Sequence, residues 1–264
     1  MAELRVGCPW DKTQTHESLR AYLLEETYEV LEALDKVRDG VPNAQELLRE
    51  ELGDLLFQIL FHSRLAEEEG HFAFPDVENT LVEKLIRRHP HVFGDKKHLS
   101  REEISQQWEH TKNQEKKKDS LLADIPPALP ALLRSKKVIE KVSKVGFQWP
   151  DLKGPLAKLE EEIQELKKEI SALEALPASA TPVALQQRLE AELGDVFFAV
   201  ANIAHFLKID PENSLRVMLT RFEKRFRHIE TRAKEMQKSL SELSLDEMDV
   251  FWNEAKKLEK PTEI

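Results

Sequence analysis

Apolar residues recur along this chain with a helical period. Over residues 19–34, Leu19, Leu23, Thr27, Val30, Leu31 and Leu34 fall on one side of a wheel turned by 100° per residue. Gly40-Val41-Pro42-Asn43 breaks this helix, and a second is predicted over about 44–69, stopped by Gly70. The pattern then returns, with a helix over 156–176, a breaker of sequence PASATP at 177–182 and a helix over 183–207. The 44–69 segment is apolar nearly all round. Leu52, Leu55, Leu56, Ile59 and Leu60 cover one side, and Phe57, Phe61 and Leu65 much of the other, so the helix is expected to be buried. No clean period-two alternation exceeds a few residues, and the predicted fold class is all-α.

The two halves are written in one pattern. Glu51-Leu52-Gly53-Asp54 recurs as Glu192-Leu193-Gly194-Asp195, and the Glu25-Glu26-x-x-Glu29 group as Glu161-Glu162-x-x-Glu165. Trp10 is matched by Trp149, Lys84 and Arg88 by Arg221 and Arg225, and Trp108 with Lys112 by Trp252 with Lys256. Landmarks in one order at a nearly constant displacement indicate an internal repeat. A basic run, Lys116-Lys117-Lys118, leads into Asp124-Ile125-Pro126-Pro127, which is linker chemistry. The expected organisation is a first helical domain over 1–118, a linker over 119–127 and a second helical domain over 128–264. The second half has a helix-like stretch at about 129–142 ahead of Gly146-Phe147-Gln148-Trp149, whereas only six residues precede Gly7-Cys8-Pro9-Trp10. By that comparison the first half lacks a leading helix.

Composition narrows the function. Of 264 residues, 41% are hydrophobic and 33% charged, as in soluble globular proteins, and 8 glycines with 2 tyrosines argue against a turn-rich β fold. A net charge of −10 argues against nucleic acid as a partner, because duplex binding depends on neutralising phosphates. Cys8 is the one cysteine, so neither an intrachain disulfide nor a cysteine-based zinc site can form, and a reducing cytoplasmic location is expected. No apolar run approaches the roughly 20 residues that span a bilayer, so no membrane partner is expected.

The acids carry the candidate chemistry. Glu25, Glu26 and Glu29 crowd one sector of a helix, as do Glu50, Glu51 and Asp54 on the next. No Lys or Arg occurs over 50–63, nor over 189–207 in the copy, and buried carboxylates without cations are very costly. A hard divalent ion such as Mg²⁺, which takes oxygen ligands and substrate phosphate, answers that need. On an exposed face the same acids would be mere solvated charge. Gly53 and Gly194, each costing about 1 kcal/mol against alanine in mid-helix, suggest close approach of a backbone or ligand. A di-iron bundle would require Glu-x-x-His, and the positions three after Glu26 and Glu51 are Glu29 and Asp54. His89-Pro90-His91 reads as a helix-ending turn. Lys84 with Arg88, and Arg221 with Arg225, are spaced to grip phosphate oxygens from one helical face. Trp108 and Trp252 are placed either to stack on a base or to pack in a core.

Cys8-Pro9-Trp10-Asp11, the EExxE and ExxD motifs, residues 84–93 (KLIRRHPHVF) and the second copy together resemble the MazG family of nucleoside triphosphate pyrophosphohydrolases, in its two-domain form. The resemblance implies tandem all-α repeats, dependence on Mg²⁺ with Mn²⁺ able to substitute, a homodimer, and hydrolysis of an NTP or dNTP to the monophosphate and pyrophosphate. Carried onto this chain, the metal ligands would be Glu25, Glu26, Glu29, Glu51 and Asp54, with Glu50 beside them, then Glu161, Glu162, Glu165, Glu192 and Asp195. Catalysis would fall to Glu26, Glu29, Glu51 and Asp54, and to Glu162, Glu165, Glu192 and Asp195. Lys84, Arg88, Trp108 and Lys112, or Arg221, Arg225, Trp252 and Lys256, would hold the nucleotide. Ala191 stands where the first half has Glu50, and Arg221 where it has Lys84. The rival readings are an all-α hydrolase of a narrower substrate (dUTP, dCTP or phosphoribosyl-ATP) and a non-catalytic helical interaction protein.

Overall fold

The computed structural model describes residues 1–94, 100–104, 107–108, 111, 120–176 and 182–259, and among them every regular element is a helix. The chain divides into two compact units, Met1–Lys117 and Lys118–Ile264. The basic run of the expected linker lies outside the described residues.

The first unit is built on a helical hairpin. α1 spans Ala2–Gly7, α2 Pro9–Thr13, α3 Arg20–Arg38, α4 Ala44–Glu68, α5 Phe74–Arg88 and α6 Pro90–Phe93. The reversal between α3 and α4 needs left-handed backbone at Gly40 (φ +68°), a conformation cheap only for glycine, and again at Asn43 (φ +62°). Leu19, Phe61 and Leu65 form the core, with Met1 and Phe57 packed against them. Ahead of Pro9 stands the six-residue α1, where the second unit has a 13-residue helix over Ala131–Ser143. Arg5 holds it down, donating to both carboxylate oxygens of Glu68 on α4 (3.1 Å from Nε and 2.7 Å from Nη2 to Oε2) and to the backbone carbonyls of Asp11 and Gln14.

The second unit repeats the hairpin. α7 spans Ala131–Ser143, α8 Lys153–Glu174, α9 Val183–Phe206, α10 Pro211–Glu235 and α11 Leu245–Leu258, with a 3₁₀ turn at Leu240–Glu242. α8 pairs with α9, α7 packs on α9, and α10 packs on α11. Ile229, Ala233, Leu243 and Phe251 form the core between α10 and α11. Asp210 caps α10 by accepting from the Asn213 amide and also pairs with Lys136 of α7 at 2.7 Å.

The expected burial of α4 is corrected. Leu52 is 49% exposed and Leu56 47%, because α3 covers only part of the α4 surface within the unit. On α9, Leu193, Phe197 and Val200 are exposed likewise. Of the two causes expected for Gly53 and Gly194, close approach of a backbone is corrected: a Cβ at either would meet nothing within 4 Å in the protein. His89-Pro90-His91 is the expected helix-ending turn, with His89 closing α5 and Pro90 opening α6.

Candidate active site

Each hairpin gathers acids from its two helices. In the first unit, oxygens of Glu26 on α3 and of Glu51 and Asp54 on α4 all lie within 4.8 Å of one another. In the second, Glu162 and Glu165 on α8 meet Glu192 on α9 in the same way. The local cause is helical spacing: Glu51 and Asp54 are three apart, as are Glu162 and Glu165, so each pair faces across the hairpin seam.

Like charges at this distance penalise ionisation. The Glu26 carboxyl titrates above its usual range, first through burial, then through Asp54 and Glu29; a hydrogen bond from Gln58 opposes the rise. Glu51 is raised by burial and then by Glu29, Asp54 and Glu50, against the opposing charge of Lys36. Glu192 is raised by burial and then by Glu165, Asp195 and Glu162. Glu29 and Asp195 therefore border the two trios electrostatically without joining them. Glu25, Glu50 and Glu161 are exposed.

The stretches 50–63 and 189–207 carry no cation, but the other acid-bearing helix of the second unit does. Lys158, one turn before Glu162 on α8, lies 2.8 Å from both Glu161 and Glu162, and Glu162 is only 5% exposed. Tyr22 stands at the matching place in the first half.

The cations and aromatics pair similarly in both units. The guanidinium of Arg88 lies over Trp108, 5.2 Å from the ring centroid, and that of Arg225 over Trp252 at 5.3 Å. His89 also meets Trp108 edge-on, at 5.0 Å. Lys84 is half-buried, Arg221 and Lys256 are exposed, and Lys112 lies outside the described residues. Trp252 does double service, since it also packs against the second core.

Three participants were missed in the sequence. Gln58 is 5% exposed, reaches Glu26 and keeps a buried side-chain oxygen without a partner. Its signal was an amide amid apolar positions of α4 where the copy has Ala199. Lys158 was readable from its spacing to Glu162. Glu259, which pairs with Arg225, lies far away in sequence and left no local signal.

The fold and site thus define a tandem all-α protein in which each helical hairpin presents a crowded carboxylate trio, with an arginine-on-tryptophan pair in the same unit. The chain belongs to the MazG nucleotide pyrophosphohydrolase domain family, whose model matches it twice, over residues 14–93 and 153–230. It is 42% identical over 95% of its length to the nucleoside triphosphate pyrophosphohydrolase/pyrophosphatase MazG of Thermotoga maritima, covering 89% of that protein. It is 39% identical over 96% of its length to a nucleoside triphosphate pyrophosphohydrolase of Escherichia coli, covering 92% of it. It is also 42% identical over 96% of its length to the uncharacterized protein YabN of Bacillus subtilis, of which it covers 49%. Among the described residues no helix is long and apolar enough to cross a membrane.

Proposed function

We propose that this chain is a nucleoside triphosphate pyrophosphohydrolase of the cytoplasm that releases the monophosphate and pyrophosphate and depends on Mg²⁺. The carrying observation is the carboxylate trio formed across a helical hairpin twice in one chain. The donor set suits the ion: all donors are hard carboxylate oxygens, burial and then their crowding lift Glu26, Glu51 and Glu192, and Gln58 adds an unpartnered buried oxygen beside the first trio.

Glu26, Glu51 and Asp54, bordered by Glu29, would hold the ion in the first unit, and Glu162, Glu165 and Glu192, bordered by Asp195, in the second. Mg²⁺, when bound there, supplies neutralisation of the triphosphate charge and makes water more acidic. A carboxylate of the trio takes the proton of the attacking water, which adds to phosphorus at the α–β junction. The bond to the bridging oxygen breaks, and Lys84 and Arg88, or Arg221 and Arg225, neutralise the departing pyrophosphate.

Product analysis tests the reaction. Pyrophosphate should appear with the monophosphate, and release of orthophosphate alone from an NTP would reject it. Asp54→Asn and Asp195→Asn, separately and together, apportion the two sites; full activity in the double variant would reject the assignment.

The apolar stripes left open on α4 and α9 support a homodimer, since contiguous exposed apolar side chains mark interaction surfaces. Light scattering should give twice the chain mass, and a concentration-independent monomer would reject the dimer.

A further inference from the structure

The second unit contains a cavity of about 430 Å³ between α7, residues 146–150 and α9. Val142, Phe147, Trp149 and Phe198 give it apolar and aromatic walls, and Gln148 and Asn202 add two amides. Trp149 keeps its place because residue 154 is glycine: a Cβ there would collide with the indole ring. Asn202 is 7% exposed and donates one amide hydrogen to the Phe198 backbone carbonyl at 3.1 Å. That bond fixes the amide, and no other hydrogen bond of its side chain is present among the described residues.

The cavity shares a helix face with the acids. Asp195, Phe198 and Asn202 are spaced i, i+3 and i+7 on α9, and Asp195 borders the trio through its field on Glu192. Seven residues of helix rise about 10 Å, the same order as the reach from an α-phosphorus across a sugar to the far edge of a base. The first unit differs at this place. Phe61 stands where the second has Asn202, and it is fully buried against Leu19 and Leu65.

We propose that this cavity receives the nucleobase of the triphosphate, stacked on Phe147, Trp149 or Phe198, with the Asn202 and Gln148 amides reading its edge. The inference rests on the pyrophosphohydrolase reading. It makes the second unit the base-discriminating half.

The test uses the full chain carrying Asp54→Asn, which leaves the second trio intact, and compares it with the same chain carrying in addition Asn202→Leu or Phe147→Ala. Phe147 is 78% exposed, so its truncation spares the core. One readout is KM for ATP, GTP, CTP and UTP from pyrophosphate release. The other is the Trp149 indole N–H resonance during titration with adenosine or uridine, which lack phosphate and need no metal. Both nucleosides should move the Trp149 resonance in the parent and lose that effect in the variants. KM should rise at least about fivefold in the variants, and the differences among bases should narrow. A Trp149 signal blind to both nucleosides, or a base ranking unchanged by both substitutions, overturns the inference while pyrophosphate release persists. If Asp54→Asn abolishes turnover, the nucleoside titration decides. A Trp149 resonance that follows protein concentration instead assigns the cavity to a second copy and overturns the inference. No pyrophosphate from any NTP with the unmodified chain defeats the reading beneath it.

Discussion

Arg225 closes a forked ion pair on Glu259, Nε to Oε1 at 2.9 Å and Nη2 to Oε2 at 2.6 Å, while its guanidinium lies over Trp252. The carboxylate occupies the fork that would grip a phosphate, and the pairing with Arg225 holds Glu259 below its usual titration range. Glu259→Gln should free that fork and lower KM for the triphosphate about two- to fivefold, the scale of a partly exposed ion pair. Steady-state kinetics in the Asp54→Asn chain measures it. A raised KM would mean that Glu259 helps to position Arg225 for binding.

Lys158 occupies part of the charge that a divalent ion would otherwise neutralise at Glu162. Lys158→Met should tighten divalent-ion binding to the second trio by several-fold and lower the melting temperature in the absence of metal, since Glu162 is then left buried and unpaired. Calorimetric titration with Mg²⁺ or Mn²⁺ reads the first effect and a melt in chelator the second. Weaker ion binding in the variant would show that the lysine supports the site.

Phe61 on α4 is fully buried against Leu19 and Leu65. Phe61→Ala should cost about 3–5 kcal/mol through lost burial and the cavity left behind. Urea unfolding of the first unit, followed by the fluorescence of Trp10, measures it; a loss below about 1 kcal/mol would contradict the packing.

His16 and His62 stack with ring centroids 5.1 Å apart and their Nδ1 atoms at 2.8 Å. Burial, and then the neighbouring His16, push the His62 pKa below 6.5, and its Nε2 is buried without a partner. A carboxylate also lies beside the pair, Glu69 at 3.9 Å from Nε2 of His16. Because the unfolded state takes up this proton first, the stability is full above pH 6.5 and is lost as pH falls towards the folded-state pKa. The melting temperature of the first unit should therefore fall as pH drops below about 6.5, and His62→Leu should flatten that dependence. A variant as pH-sensitive as the parent would exclude His62 as its source.

The sequence by itself determined the helices of the two hairpins, the one ahead of the second hairpin, their order and the duplication. The 3.6-residue period and the Gly and Pro breaks are local, so the bounds expected for the second helix, 44–69, and the one over 183–207 fall within a residue of Ala44–Glu68 and Val183–Phe206. It also singled out the acids at Glu26, Glu51, Asp54, Glu162, Glu165 and Glu192, because i, i+3 spacing fixes which side chains share a helix face. Tertiary structure decided the rest. Which acids meet depends on how far α3 slides along α4 and α8 along α9, and that left Glu25, Glu50 and Glu161 outside the trios. How much of α4 is covered depends on neighbours in space, so an all-round apolar pattern became an exposed stripe. Glu259 reached Arg225, and Phe147 and Trp149 came to face Asn202, through packing between segments far apart in the chain. Spacing along a helix cannot encode such meetings; they follow from apolar surfaces closing over whichever partners the turns bring near.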